Sequence, residues 1–281
     1  MVFILEAFEP EFMQRALIGS LVAVVATSLV GTWVVLRGLA FLGDALAHGV
    51  IPGIALAVLL GFSPIIGAFV AAIVMSGLVS VVSNRTIVRE DTAIGLLFVG
   101  MLALGIVIVS QARSFSTEVT ALLFGDVLGV SNGDIRSQLI ATAIVVVATF
   151  IFYRPFMALT FNRDKAQTLG MRPGLAQGVM LALLALSIVA SFQAIGTLLV
   201  FGLLVGPPAT ASLMVRRVPW IMVVSMAWGS LAVILGLLVS FHFGTAGGAS
   251  MAGFSIAQFF VVLAIREATD ALRSPTPATA A

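Results

Sequence analysis

The sequence predicts an all-α integral membrane protein: a polytopic helical bundle with about eight or nine transmembrane helices, short or broken helices among them. Three observations predict it. Of the 281 residues 60% are hydrophobic and 9% charged, against the roughly 25% charged share of a soluble domain, and mean hydropathy is +1.19. Apolar runs recur at lengths mostly close to the roughly 17–25 residues of a spanning helix. These runs are apolar on every face and rich in Leu, Ala, Val and Gly, whereas a membrane barrel would alternate apolar and polar over segments of about ten residues.

The runs lie near residues 16–36, 50–61, 64–82, 93–109, 137–153, 177–191, 195–213, 220–240 and 251–265. A membrane-spanning domain over 16–266 is expected, preceded by an N-terminal segment 1–15 and followed by a disordered tail 267–281 that ends in "LRSPTPATAA". Glu6, Glu9 and Glu11 stand where a secretory signal would carry basic residues, so no cleavage is expected. With nine crossings and the N-terminus outside, Arg37, Arg85, Arg89, Arg154, Arg163, Lys165, Arg172, Arg216, Arg217, Arg266 and Arg273 face the cytosol. Only Arg15, Arg113 and Arg136 are left outside, which the positive-inside rule favours. Region 37–62 is the weak span, because Gly49, Pro52, Gly53 and Gly61 interrupt it; without it the count is eight.

Net charge +2 and a pI near 9.9 do not indicate nucleic acid, since the basic residues are distributed over short loops. The absence of cysteine excludes disulfides and thiolate metal sites. With one lysine, preceded by Asp164, no G-x-x-x-x-G-K-[ST] loop exists, so energy from ATP would have to come from a separate subunit. There is also no H-E-x-x-H motif and no G-x-S-x-G elbow.

The stretch "FLGDALAHGVIPG", residues 41–53, places Asp44 and His48 one helical turn apart. A carboxylate at the bilayer centre costs about 2.5–3.5 kcal/mol on insertion scales, so such a residue faces a cavity and has a partner. Residues i and i+4 lie roughly 5–6 Å apart at Cβ, near enough for both groups to grip one cation. Pro52 cannot donate to the carbonyl four residues back, which leaves that of His48 free and marks "HGVIP" as a break beside a pathway. On spacing alone a second reading stands equally: Asp44 caps a helix and His48 is a hydrogen-bonded core residue. One Asp and one His make an incomplete shell, which a second copy at a twofold axis could complete.

Other ionisable residues point less clearly to chemistry. His242, in "SFHFGTAGGAS", reads as an interfacial histidine with no nearby acid. Asp126, in "LLFGDVLGVS", reads first as the cap of a re-entrant helix. The polar stretch "FNRDKAQTLGMRPG", residues 161–174, lies on the basic side; a solvated loop helix and a docking surface for a cytosolic partner are both open. In "GTLLVFGLLVGPPATA", residues 196–211, the spacing of Gly202 and Gly206 implies close helix packing, and the Pro pair a kink or break.

Taken in order, "FLGDALAHGVIPG", "EDTAIGLLF", "LLFGDVLGVS", "FNRDKAQTLG" and "GTLLVFGLLVGPPATA" resemble the membrane permease of the bacterial zinc, manganese and iron ABC importers, the ABC-3 family, from about residue 12 to 266. The resemblance implies a type II-like importer permease without its own ATPase, multi-pass in the bacterial inner membrane, with no permanently bound cofactor. It implies a homodimer, a cytosolic ATP-binding subunit through which ATP acts, and an extracytoplasmic metal-binding protein. By position the family's metal-coordinating pair falls on Asp44 and His48, and its ATPase-coupling segment on Arg163, Asp164, Lys165, Gln167 and Leu169. The cargo implied is Zn2+ or Mn2+, with iron as a further candidate, moved by alternating access. Because ligation needs a neutral imidazole, transport is expected to weaken as pH falls into the range where histidine protonates. Relatives commonly carry an acid where Gly244 aligns, so that feature is absent or replaced by His242. Two alternatives from other classes are a secondary metal-ion carrier, which would need no ATPase, and an intramembrane enzyme using Asp44 and His48 as acid and base.

Overall fold

Helices account for every regular element described, in a computed structural model that describes residues 6–85, 90–110, 129–161, 167, 172–195 and 197–273. In chain order these are α1 (Glu11–Leu36), α2 (Ala40–Gly49), α3 (Ile51–Leu60), α4 (Pro64–Arg85), α5 (Glu90–Ser110) and α6 (Asn132–Ile151). They continue as α7 (Tyr153–Phe161), α8 (Pro173–Ile195), α9 (Thr197–Met214), α10 (Val218–Phe243) and α11 (Gly247–Arg273). Each expected apolar run falls on a helix. Among the described residues eight helical segments are long and apolar enough to cross a membrane, α2 and α3 counting together as Ala40–Leu60; Val200–Met214 within α9 is a shorter apolar stretch. The weak span of the sequence is therefore of spanning length despite its glycines and proline.

Three boundaries differ from expectation. α1 begins at Glu11, because Met13 and Ala16 are already buried and hold the first turn against the bundle. α11 runs past residue 266 to Arg273, its exposed last turns carrying an i,i+4 pair between Arg266 Nε and Asp270 Oδ2 at 3.7 Å. Residues 274–281 lie outside the described residues. α9 continues through Pro207 and Pro208 to Met214, where the sequence suggested a kink or break.

The continuity of α9 has a packing cause. Pro208 has no N–H, so the Leu204 carbonyl loses its helical donor. That carbonyl packs against Gly31 of α1, where a Cβ would overlap the oxygen and lie 3.1 Å from Pro208 Cγ. The missing side chain lets the α1 backbone cover the orphan carbonyl, the condition under which proline is tolerated at membrane depth. Nearby polar groups are satisfied locally as well: Thr210 Oγ1 donates to the Gly206 carbonyl at 2.8 Å, and Ser255 Oγ to the Gly202 carbonyl at 2.8 Å.

Glycine contacts also fix helix directions. Gly49 meets Met75, and Gly53 meets Gly67 and Ala71, so α2 and α3 run antiparallel to α4. Gly202 meets Ala252 and Gly206 meets Ser255, so α9 and α11 run parallel, with α10 antiparallel between them in sequence (Gly236 on Met251). This alternation gathers Arg37, Arg154, Arg172, Arg216, Arg217 and Arg266 toward one end, below called the arginine-rich end.

α9 is the inner helix: Val200, Leu203, Leu204, Thr210 and Ala211 are fully buried, and it packs on α1, α2, α8, α10 and α11. The main core surrounds Trp33, whose indole meets Tyr153 and Phe156 edge-on at 5.6 Å each. A smaller core of Val50, Ile54, Ala68, Ala72, Ala185, Val189 and Phe192 closes under the junction of α2 and α3. At the start of α6 a capping box forms, Ser131 Oγ accepting from Asp134 N at 3.2 Å and Asp134 Oδ2 accepting from Ser131 N at 3.0 Å. Such a cap contributes roughly 1 kcal/mol.

Candidate metal site

α2 positions the pair that the sequence singled out. Leu42, Ala45 and Leu46 are fully buried and anchor the helix, while Asp44 and His48 share the opposite, less buried stripe. Gly43 sits against α9: a Cβ there would lie 2.6 Å from Leu204 Cδ2 and 3.6 Å from Phe201 Cδ2. Leu204 also meets Gly31 in the last two turns of α1, so the Asp44 and His48 turn lies inside the bundle, in the half toward Arg37.

His48 Nε2 lies 3.7 Å from Asp44 Oδ1, with the side chains 20% and 31% exposed. That separation is too long for a hydrogen bond. It suits one shared ion: bonds of about 2.1 Å from each atom would span 3.7 Å with an angle near 120° at the cation. The N-cap of α2 is Leu39 and makes no side-chain cap hydrogen bond, so Asp44, a turn further in, caps nothing. Half of the alternative reading thereby falls.

Phe98 of α5 meets the His48 ring edge-on at 5.2 Å, and meets Phe41 at 5.8 Å. This aromatic wall holds the imidazole from one side and leaves Nε2 toward Asp44. Nothing in the sequence marks Phe98, since a phenylalanine in an apolar run reads equally as lipid-facing. Among the described residues no group of three or more His, Asp or Glu comes together, so the pair offers one nitrogen and one carboxylate from a single turn.

One expectation is corrected here. The His48 carbonyl is not free: at the Val50 cap, backbone N–H groups reach the carbonyls of Leu46 and His48, and Val50 keeps αR geometry (φ −78°, ψ −18°). Pro52 falls in the first turn of α3, where its missing N–H costs little. The chain thus tightens between α2 and α3 instead of opening.

The remaining candidates are dispersed. His242 stands in the last turn of α10, its Nδ1 2.9 Å from the Leu238 carbonyl and its ring edge-on to Phe241 at 5.2 Å. Gly244, at φ +64°, then ends that helix. Asp126 lies outside the described residues, as do Arg163, Asp164, Lys165 and Leu169; Gln167 is exposed and helical.

Known proteins share this sequence pattern and fold. The ABC 3 transport family matches residues 9–266. A manganese transport system membrane protein of Listeria monocytogenes, MntC, is 32% identical over 261 residues, covering 93% of each chain. A probable iron transport system membrane protein of Haemophilus influenzae is 33% identical, covering 93% of this chain and 96% of its own. The solved PsaBC from Streptococcus pneumoniae, in complex with Fab, superposes with TM-score 0.86 at 30% identity, over 98% of this chain and all of that one. An inward-facing putative metal-chelate type ABC transporter shares the fold at TM-score 0.68 and 17% identity, over 90% of this chain and 86% of that one. With its match running through nearly all of its helices, this multi-pass membrane protein belongs to the ABC 3 transport family.

Proposed function

We propose that the chain is the permease subunit of an ATP-driven importer that carries a divalent transition-metal cation across the bacterial inner membrane. Asp44 and His48 would replace part of the ion's hydration within the bundle. The observation that carries this reading is the pair itself: a carboxylate and an imidazole 3.7 Å apart, partly exposed, within a helical segment long and apolar enough to cross a membrane. Neutralising a carboxylate by a bound cation removes the reason for that group to be costly at membrane depth. Manganese is the cargo favoured by the similarity to the manganese transport protein MntC of Listeria monocytogenes and the manganese import permease ScaB of Streptococcus gordonii, with iron next from the Haemophilus relative; one Asp and one His suit zinc as well.

On this reading the ion arrives from an extracytoplasmic binding protein, rests on Asp44 and His48, and leaves toward the arginine-rich end, which is cytosolic by the positive-inside rule. A cytosolic ATP-binding subunit, docked on residues 161–174, would drive the alternation of access; Gln167 is exposed for such a contact. A second copy of the chain would supply further ligands to the partly exposed pair.

The test is uptake of radioactive manganese, iron and zinc by cells expressing the chain with and without its ATP-binding subunit. Uptake of one cation that disappears when the subunit is omitted is the expected result. Uptake that persists without it would favour the secondary carrier.

Phe98 gives a finer check. If its ring holds the imidazole, Phe98→Ala should lower metal affinity by about tenfold, the lower end of what is lost when a group orienting a ligand is removed. Phe98→Leu, which keeps the wall but not the edge-on ring contact, should lie between. The readout is the concentration dependence of uptake, at matched protein levels. Equal half-saturation in all three proteins would remove Phe98 from the site.

A further inference from the structure

At the arginine-rich end a groove of about 700 Å³ opens between α1, α6 and α10. Its walls are apolar: Val25, Leu29, Val146, Met222, Val223 and Met226. From Pro219 at its mouth to Met226 is seven residues of one helix, a depth of about 10 Å. Val223 is 55% exposed, so the groove opens sideways, where lipid surrounds a membrane bundle, as well as toward the helix ends.

The mouth has the opposite chemistry. Arg154, the second residue of α7, lines it, and Arg217 precedes Pro219 by two residues as the N-cap residue of α10. Both arginines are exposed, and neither has an ion-pair or hydrogen-bond partner among the described residues. Below them, in the groove wall, Thr149 is 4% exposed with its Oγ1 buried and unpartnered. A threonine in a helix ordinarily bonds back to a carbonyl of the preceding turn. Trp220, 57% exposed beside the mouth, is the residue type that collects at the headgroup level.

An apolar slot open to the hydrocarbon, with unpaired guanidinium groups where the headgroups lie, has the charge and shape of one kind of occupant. We propose that this groove binds an anionic phospholipid, one acyl chain lying along Val146 and Met222 and the headgroup phosphate held by Arg154 and Arg217. Arginine suits the phosphate because its planar fork donates two hydrogen bonds at once. A zwitterionic lipid would enter the same slot but gain less at the mouth, where each basic residue favours an anionic headgroup by about fivefold.

The experiment is native mass spectrometry of the detergent-purified full chain, offered equal amounts of phosphatidylglycerol and phosphatidylcholine with identical acyl chains. It uses neither metal nor nucleotide, so its outcome is independent of the transport reading. Phosphatidylglycerol adducts should exceed phosphatidylcholine adducts by about fivefold or more. Arg154→Gln should lower that ratio about fivefold, weakening phosphatidylglycerol binding more than phosphatidylcholine binding, and Arg154→Lys should retain most of the preference. Val223→Trp, which fills the slot from its exposed side, should lower both adducts; thermal melting confirms that each variant is folded. Equal binding of the two lipids by the wild type, or a ratio unmoved by Arg154→Gln, would overturn the proposal. So would an equal loss in Arg266→Gln, at the same end but outside the groove, because the preference would then be general surface charge. Binding of glycerol phosphate as strong as that of the lipid would also overturn it, since the slot would then contribute nothing.

Discussion

Replacing His48 by alanine is expected to reduce metal uptake to below about a tenth of wild type, with Asp44→Ala equally severe. Removing even a group that merely orients a ligand typically costs about 10–100-fold in metal affinity; removing a ligand itself should do no less. The geometry makes the two changes equivalent. Each leaves one donor of a two-donor turn, and no third acid or imidazole joins them among the described residues. Asp44→Asn is the informative companion: it keeps volume and one oxygen but removes the charge that offsets the cation. If uptake follows charge, Asp44→Asn should resemble Asp44→Ala; if it follows the oxygen alone, it should resemble wild type. Uptake is measured in cells, with the amount of assembled complex checked by co-purification of the ATP-binding subunit. Near-normal uptake in both alanine variants would reduce His48 to a core histidine packed on Phe98 and send the search for the ion's route elsewhere.

The second large effect is expected at the crossing of α3 and α4. A Cβ at Gly53 would overlap the Gly67 carbonyl and lie 2.5 Å from Ala71 Cβ; one at Gly67 would overlap the Gly53 carbonyl and lie 2.6 Å from Ala57 Cβ. Backbone meets backbone on both sides, so no side chain can move to relieve an intruder. Gly53→Ala should therefore destabilise the protein by about 1–3 kcal/mol, the usual cost of overpacking, and Gly53→Leu should leave little folded protein. The crossing lies directly above the junction that carries Asp44 and His48, so a displaced α3 would also misplace the pair. Gly77, on the same α4 but with nothing near the position of an added Cβ, supplies the control: Gly77→Ala should shift stability by no more than about 1 kcal/mol, as glycine-to-alanine changes in open helical positions do. Thermal unfolding of the purified protein reads both. Equal melting of Gly53→Ala and Gly77→Ala would mean that the α3 and α4 backbones are not in the contact described.

The sequence by itself determined what depends on local geometry and on solvent. Apolar runs of spanning length gave the helical bundle, because backbone N–H and C=O groups in hydrocarbon must pair within their own segment. The i,i+4 spacing of Asp44 and His48 gave their adjacency, because one helical turn brings such residues together wherever the helix lies. Tertiary structure decided what lies beside them. The edge of Phe98 on His48, the Leu204 carbonyl on Gly31 and the Gly53 and Gly67 contact each join different helices. Their sequences carry no periodic signal for it: lipid tails are as apolar as a neighbouring helix, so a run of Leu, Val and Ala does not reveal which face meets protein. The His48 carbonyl shows the same division, since Pro52 removed one donor by its covalent structure, while the tight turn at Val50 decided that another N–H would take its place.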